Sequence, residues 1–120
     1  MSGRLADLSG PEAAESLTSD SVVVLPVGAI EQHGPHLPMS VDAVIADEVA
    51  SALLNAAGDD IDLWLLPTLA VSKSNEHVWS PGTLSLSTET LLRVLDDLAA
   101  CVAATPVRRL VFLNGHGGNS

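Results

Sequence analysis

Three short apolar runs, each followed by a polar loop, constrain the fold of this chain most. Residues 21–27 form a nearly continuous β-branched and aliphatic run, and residues 61–66 and 108–113 have the same character. Such runs are typical of strands buried on both faces of a parallel sheet. Pro26 lies inside the first run. Because proline cannot donate a ladder hydrogen bond, either the strand ends near Leu25 or Pro26 faces a place where no bond is needed.

Helical patterns separate the runs. A short helix is predicted over residues 9–17, and longer helices are predicted from about 41 to 57 and from Thr88 to about 102. Ser40 can cap the first long helix, and Ser87 or Thr88 the second. The predicted buried faces are Val41, Ile45, Val49, Ala52 and Leu53 in the first long helix, and Leu91, Leu95, Leu98 and Val102, widened by Leu92 and Ala99, in the second. The repeated strand–helix order predicts an α/β fold with a parallel sheet and right-handed crossovers.

The polar loops all follow strands, and this placement makes a spatial prediction. In open α/β sheets, ligands bind outside the carboxyl ends of the strands. The loop over residues 71–85 is long and polar, as functional loops often are. We therefore expect three pairs of side chains to converge on one edge of the sheet: Glu31 with His33, Glu76 with His77, and Asn114 with His116.

Length and charge narrow the classes of function. The 120 residues are predicted to form one domain, and 15 acidic residues against 5 basic ones give a formal net charge of -10. Nucleic acid and anionic membranes would be repelled, so a small-molecule or peptide substrate is expected. The chain has no apolar run of membrane-spanning length and no secretory signal pattern, so we expect a cytoplasmic location. The single cysteine, Cys101, is predicted to be a buried small hydrophobe without a role.

The segment Glu31-Gln32-His33-Gly34-Pro35-His36 supplies one carboxylate and two imidazoles directly after a buried run. These groups are donors that Zn²⁺ and Mn²⁺ accept. Glu31 and His33 would point to the same side of an extended segment. A polar surface loop is the alternative. His36 could bind a metal, support a ligand or form hydrogen bonds within the loop.

The remaining polar positions are open to two interpretations each. Asp42, near a helix start, can stabilise the helix dipole or bind a metal. Glu76 and His77 can contact a substrate or brace their loop, and Trp79 can form a substrate wall or an interface. In the terminal segment, glycines allow close approach to a ligand, and His116 follows a buried strand, where it is well placed to bind metal.

Taken together, several motifs resemble those of the creatininase family. They are residues 25–38, Asp42, Glu76-His77, residues 81–83, and residues 114–119. The resemblance implies a three-layer α/β/α sandwich with a mainly parallel sheet, and a metal-dependent hydrolase of unusual amide C–N bonds that often forms hexamers. It implies that Glu31, His33, Asp42 and His116 bind two divalent metals, Zn²⁺ and/or Mn²⁺, with Asp42 bridging them. Candidates for contacting substrate or supporting the ligands are His36, Glu76, His77, Trp79, Gly117, Gly118 and Asn119.

The chain departs from the creatininase pattern at Gly118, where creatininase itself has a metal-binding glutamate. It is also short for the family, so we expect an N-terminal fragment, incomplete at its C-terminus, with the proton-transfer residues beyond Ser120. The expected function is amide hydrolysis by a metal-activated water, with creatinine, a formamide or a modified peptide of the mycofactocin type as substrate. The alternative is a non-catalytic metal-binding or interaction fragment that needs a partner chain.

Overall fold

The computed structural model describes residues 1–119 and contains one four-stranded sheet. Its strands are β1 (Gly3–Arg4), β2 (Val22–Val27), β3 (Leu63–Leu65) and β4 (Arg109–Asn114), in the order β1-β3-β2-β4. All three pairings are parallel. The predicted α/β class and parallel sheet are therefore confirmed. Strand β1, only two residues long, is too short to give a sequence pattern.

Helices cover both faces of the sheet. They are α1 (Gly10–Ser16), α2 (Val41–Ala57) and α3 (Thr88–Ala103), and short 3-10 turns lie at residues 5–7, 75–77 and 117–119. Successive side chains of a strand point to opposite faces. Val24 accordingly packs with residues of α2, whereas Val23 and Trp64 pack with Leu17 and Val102 on the other face. This arrangement is the expected three-layer sandwich. Within residues 1–119, every helix is too short or too polar to cross a membrane.

Pro26 lies inside β2, which confirms the second of the two alternatives for this residue. Strand β3 ends at Leu65, opposite Val24, so Pro26 has no ladder partner on that side. The Pro26 carbonyl instead accepts a hydrogen bond from the Leu69 N–H at 2.8 Å. The β3 pattern was predicted over residues 61–66, but only its middle pairs as a strand because the chain is still turning at the exposed Ile61.

Helix α2 packs through a different face from the one predicted. Its buried residues are Ala46, Ala50 and Ala57, while Ile45 and Val49 are about half exposed. Small side chains let the helix lie close to the sheet, and at Gly28 an added Cβ would overlap the Cα atom of Ala43. The close approach selects the alanine face because a face of valine and isoleucine is too bulky.

The helix ends and the third helix are predicted more accurately. Ser9 and Ser87 cap α1 and α3 by accepting backbone N–H bonds, whereas Ser40 makes no side-chain cap at α2. In α3, Leu91 is buried, Leu92 is exposed, and the other four residues of the predicted face are partly buried: Leu95, Leu98, Ala99 and Val102. Cys101 is also exposed, so its predicted burial was wrong. It lies beside the stripe of α3 and not within it.

Candidate functional site

Three loops meet at the carboxyl end of the sheet, as their positions after strands predicted. Residues 28–40 follow β2, residues 66–87 follow β3, and residues 115–119 follow β4. Single backbone bridges tie them together, including Gly115 N–H to the Val27 carbonyl at 2.8 Å and Leu84 N–H to the Ile30 carbonyl at 2.9 Å. The loops are thus fixed to one another before any side chain is considered.

Asp42 and His116 form the centre of the site. The Nδ1 atom of His116 lies 2.8 Å from Asp42 Oδ2 and 3.2 Å from Glu31 Oε1. Both Glu31 and His116 are buried. Donor atoms of these three residues all lie within 4.8 Å of one another, which is compatible with one small cation.

His33 contacts the opposite oxygen of the same carboxylate. Its Nε2 atom is 3.1 Å from Asp42 Oδ1, while its Nδ1 atom is 3.0 Å from the Glu31 carbonyl oxygen. That hydrogen bond to the Glu31 carbonyl, with the nearby Asp42 carboxylate, raises the pKa of His33, although burial acts in the other direction. Asp42 therefore lies between two histidines, with one oxygen toward each.

Both histidines are oriented by backbone carbonyls. His116 Nε2 lies 2.9 Å from the Lys73 carbonyl, as His33 Nδ1 lies near that of Glu31. A carbonyl can only accept, so these ring nitrogens carry the hydrogen atoms. In the neutral form, the lone pairs of His116 Nδ1 and His33 Nε2 then face carboxylate oxygens. A divalent cation fits such a donor set, since it removes the repulsion between lone pairs and negative charge.

A second cluster adjoins the first through Glu31. His77 Nε2 is 3.7 Å from Glu31 Oε2, and Glu76 Oε1 is 4.0 Å from His116 Nε2. Glu31 Oε2 is buried and has no hydrogen-bond partner among the described residues. Donor atoms of Glu31, Glu76 and His77 also lie within 4.8 Å of one another. The predicted convergence of the three loops is thus observed.

The other predicted site residues lie around the two clusters or outside them. His36 and Trp79 are exposed, and within residues 1–119 neither has a side-chain hydrogen bond to the clusters. Gly117 is exposed, whereas Gly118 lies against Glu76 and His116. Asn119 braces the loops, because its Oδ1 accepts from the Lys73 N–H at 3.1 Å and its amide group donates to Ser72 Oγ at 3.0 Å.

Ser72, Lys73 and Ser74 were not predicted to have individual roles. Ser72 and Ser74 are fully buried, and Ser72 Oγ donates to the Gly28 carbonyl at 2.5 Å. Lys73 supplies the carbonyl that orients His116. In the sequence, these residues were distinguished only by their position in a polar loop after a strand. The contact of Lys73 with His116 uses a backbone carbonyl, which every residue type has.

A mostly apolar cavity of about 360 Å³ lies beside the site, between α3 and the end of β4. Lys73, Asn114 and Asn119 form its polar side. Its lining is completed by Val27, Thr88, Leu91, Leu92, Leu95 and Phe112. The cavity is therefore continuous with the loop that orients His116.

Curated proteins that this chain resembles in sequence include hydrolases. The chain is 40% identical to the mycofactocin precursor peptide peptidase of Mycobacterium tuberculosis, over 96% of this chain and 48% of that protein. It is 36% identical to the creatinine amidohydrolase of Pseudomonas putida, over 89% of this chain and 42% of that protein. The chain thus spans about half the length of the curated relatives it matches.

Solved structures agree with the sequence comparison. A manganese form of creatininase superimposes with a TM-score of 0.84 at 33% identity, over 100% of this chain and 48% of that chain. A zinc–zinc form of a mutant creatininase gives a TM-score of 0.82 at 32% identity, over 98% and 47% of the two chains. The model of the creatinine amidohydrolase family matches residues 6–120. The chain therefore belongs to the creatininase family.

Proposed function

We propose that this chain carries the metal-binding part of an amidohydrolase active site. Glu31, Asp42 and His116 would hold one divalent cation, and Asp42 with His33 would hold a second. Asp42 would then bridge the two positions. The observation that carries the proposal is that Asp42 directs one oxygen to each of two histidines, at 2.8 and 3.1 Å.

The proposed ligand residues would fix the positions of the two cations at which the reaction takes place. When bound, a pair of divalent cations supplies an activated water and polarises the amide carbonyl. Glu31 and His116 are buried, which keeps bulk water away from the inner side of the site. In His33 and in His116, one ring nitrogen contacts a backbone carbonyl and the other faces Asp42, where a cation would bind. Neither ring would then have a nitrogen free to carry a proton to the leaving nitrogen. We expect a separate carboxylate to perform that step.

The proposed substrates contain an amide C–N bond. The named relatives support a modified peptide or creatinine, and a formamide is the third candidate. Solved manganese and zinc–zinc creatininases support Mn²⁺ and Zn²⁺ as the candidate metals. Assembly into a homo-oligomer and a cytoplasmic location stay predictions.

Metal stoichiometry tests the proposed site directly. Wild-type chain should bind two Zn²⁺ or Mn²⁺ ions in mass-spectrometric and calorimetric measurements. The Asp42→Asn variant should bind at least one ion fewer. Its affinity for the remaining ion should fall by more than the roughly 10- to 100-fold that is typical for loss of a supporting residue. The control is Glu48→Gln, which removes one charge from the exposed side of the same helix. Equal metal binding by Asp42→Asn and Glu48→Gln would contradict the proposal.

A second candidate function is a metal-binding fragment that acts only with a partner chain. Strand β4 lies at the edge of the sheet, and Val111 and Phe112 on it are 45% and 47% exposed. One weakly bound metal or none, without hydrolysis of precursor peptide, creatinine or a formamide, would support this candidate. Hydrolysis by the 120-residue chain alone would exclude it.

A further inference from the structure

The cluster of Glu31, Glu76 and His77 can be interpreted in two ways. Its donor atoms are close enough for a third cation position, since they lie within 4.8 Å of one another. Alternatively, His77 could present a hydrogen atom to the buried oxygen of Glu31. The choice depends on which ring nitrogen of His77 carries the hydrogen, because a protonated nitrogen cannot bind a metal.

The side-chain amide of Gln32 decides this question. Gly34 N–H donates to Gln32 Oε1 at 3.0 Å, which fixes the oxygen end of the amide. The nitrogen end, Nε2, therefore faces His77 Nδ1 at 3.1 Å. An amide nitrogen is only a donor, so His77 Nδ1 accepts the bond. The turn that places the Gly34 N–H favours glycine, because Gly34 has a φ of 77°, in the left-handed region.

With Nδ1 accepting, the ring hydrogen of singly protonated His77 lies on Nε2. This atom is 3.7 Å from Glu31 Oε2, the buried oxygen that has no hydrogen-bond partner among residues 1–119. The other oxygen, Glu31 Oε1, is 3.2 Å from His116 Nδ1. Glu31 thus has one oxygen toward the proposed cation position and one toward His77.

We propose that His77 is a positioning residue, held by Gln32 as a hydrogen-bond donor toward Glu31, and is not a cation ligand. The role of Glu31 in this inference rests on the proposed function. The run of contacts starts at Gly34, passes through Gln32 and His77, and ends at Glu31. Supporting residues of this kind orient ligands and raise metal affinity.

Nitrogen NMR of the full 120-residue chain, labelled with ¹⁵N-histidine, tests the assignment. Long-range ¹H–¹⁵N spectra should show His77 with an unprotonated Nδ1 and a protonated Nε2, and this pattern should persist after Zn²⁺ is added. In the same titration, His116 Nδ1 should shift on coordination. A protonated His77 Nδ1, or a direct effect of Zn²⁺ on His77 Nε2, would overturn the proposal.

Paired substitutions separate donation from coordination. His77→Gln keeps a donor near the position of Nε2, whereas His77→Met removes it with similar volume. His77→Met should weaken Zn²⁺ binding by about 10- to 100-fold, and His77→Gln should stay close to wild type. Val78→Met, in the same loop and 60% exposed, is the control. Equal weakening in both His77 variants, or no change in either, would contradict a positioning role.

The two proposals fail in distinguishable ways. If wild-type chain binds no Zn²⁺ but His77 shows the Nε2-protonated pattern, the proposed function fails and the assignment of His77 as a donor stands. If Zn²⁺ binds and both His77 variants lose one ion from the stoichiometry, the proposed function stands and His77 is a ligand. Circular dichroism of each variant confirms that the comparison is made between folded chains.

Discussion

Asp42 shows how one side chain can serve a helix and a site at once. It lies in the first turn of α2, where a carboxylate stabilises the positive end of the helix dipole. Its two oxygens also contact His33 and His116. The two interpretations of this residue are therefore compatible, because a carboxylate at a helix start still has both oxygens available on the outer side.

Gly118 is restricted by its neighbours and not by its backbone angles. A Cβ at this position would lie 2.6 Å from Glu76 Oε1 and 2.7 Å from the Lys73 carbonyl, and would overlap His116 Nε2. In this chain Glu76, from a different loop, lies against this position. The absence of a side chain at Gly118 and the presence of Glu76 are thus linked sterically.

Gly118→Ala should displace the Lys73 carbonyl or His116, and so weaken Zn²⁺ binding by about 10-fold or more, as expected when the support of a ligand is disturbed. The matched control is Gly117→Ala, because an added Cβ there meets no atom within 4 Å. Calorimetric titration of both variants with Zn²⁺ measures the difference. Equal affinities would show that His116 is not held in this way.

At the scale of elements, the contact between α2 and the end of β2 positions the site. Ala46 and Ala50 bring the helix close to the sheet. A Cβ added at Gly115 would lie 3.1 Å from the Cβ of Ala46. Asp42 is one turn earlier on the same helix. Any change in the helix-to-sheet distance therefore moves the carboxylate that both histidines contact.

Gly28→Ala should push α2 away from β2, because the added Cβ would overlap Ala43 Cα. Overpacking of this kind costs about 1–3 kcal/mol. Urea denaturation should show the loss of stability, and Zn²⁺ affinity should fall with it. Gly10→Ala is the control, since an added Cβ at Gly10 has no neighbour within 4 Å. Unchanged stability of Gly28→Ala would mean that α2 adjusts at little cost.

At the scale of the whole molecule, the proposed ligands join segments that are far apart in sequence. Glu31 lies in the loop between β2 and α2, Asp42 lies in the first turn of α2, and His116 follows β4 at the edge of the sheet. The contact between Asp42 and His116 spans 74 positions of the chain. A cation bound there would cross-link the central strand to the edge strand.

Zn²⁺ should therefore stabilise the fold. A ligand that binds only the folded state adds about 2.7 kcal/mol at a free concentration of 100 times its Kd. Thermal unfolding, followed by circular dichroism, should show a higher Tm with Zn²⁺ than after chelation, and Asp42→Asn should lose most of the increase. An equal increase in wild type and Asp42→Asn would place the stabilising ion elsewhere.

The sequence by itself determined strands β2, β3 and β4, the helix cap at Ser9 and the convergence of the three loops, and it limited the cap of α3 to Ser87 or Thr88. Apolar runs identify strands buried on both faces, and the parallel order brings their carboxyl ends together. The sequence did not determine the packed face of α2. Apolar side chains surround most of that helix, so periodicity alone cannot choose between the alanine face and the face of Ile45 and Val49.

Only the tertiary structure decided how the polar groups are oriented. The Lys73 carbonyl orients His116 across 43 positions, and Gln32 orients His77 across 45. These hydrogen bonds depend on backbone atoms and amide directions that residue types do not encode. The local sequence sets which histidines and carboxylates are present. The distances between the loops set which ring nitrogen faces a carboxylate and which carries a hydrogen. Those distances arise only when the sheet and helices pack.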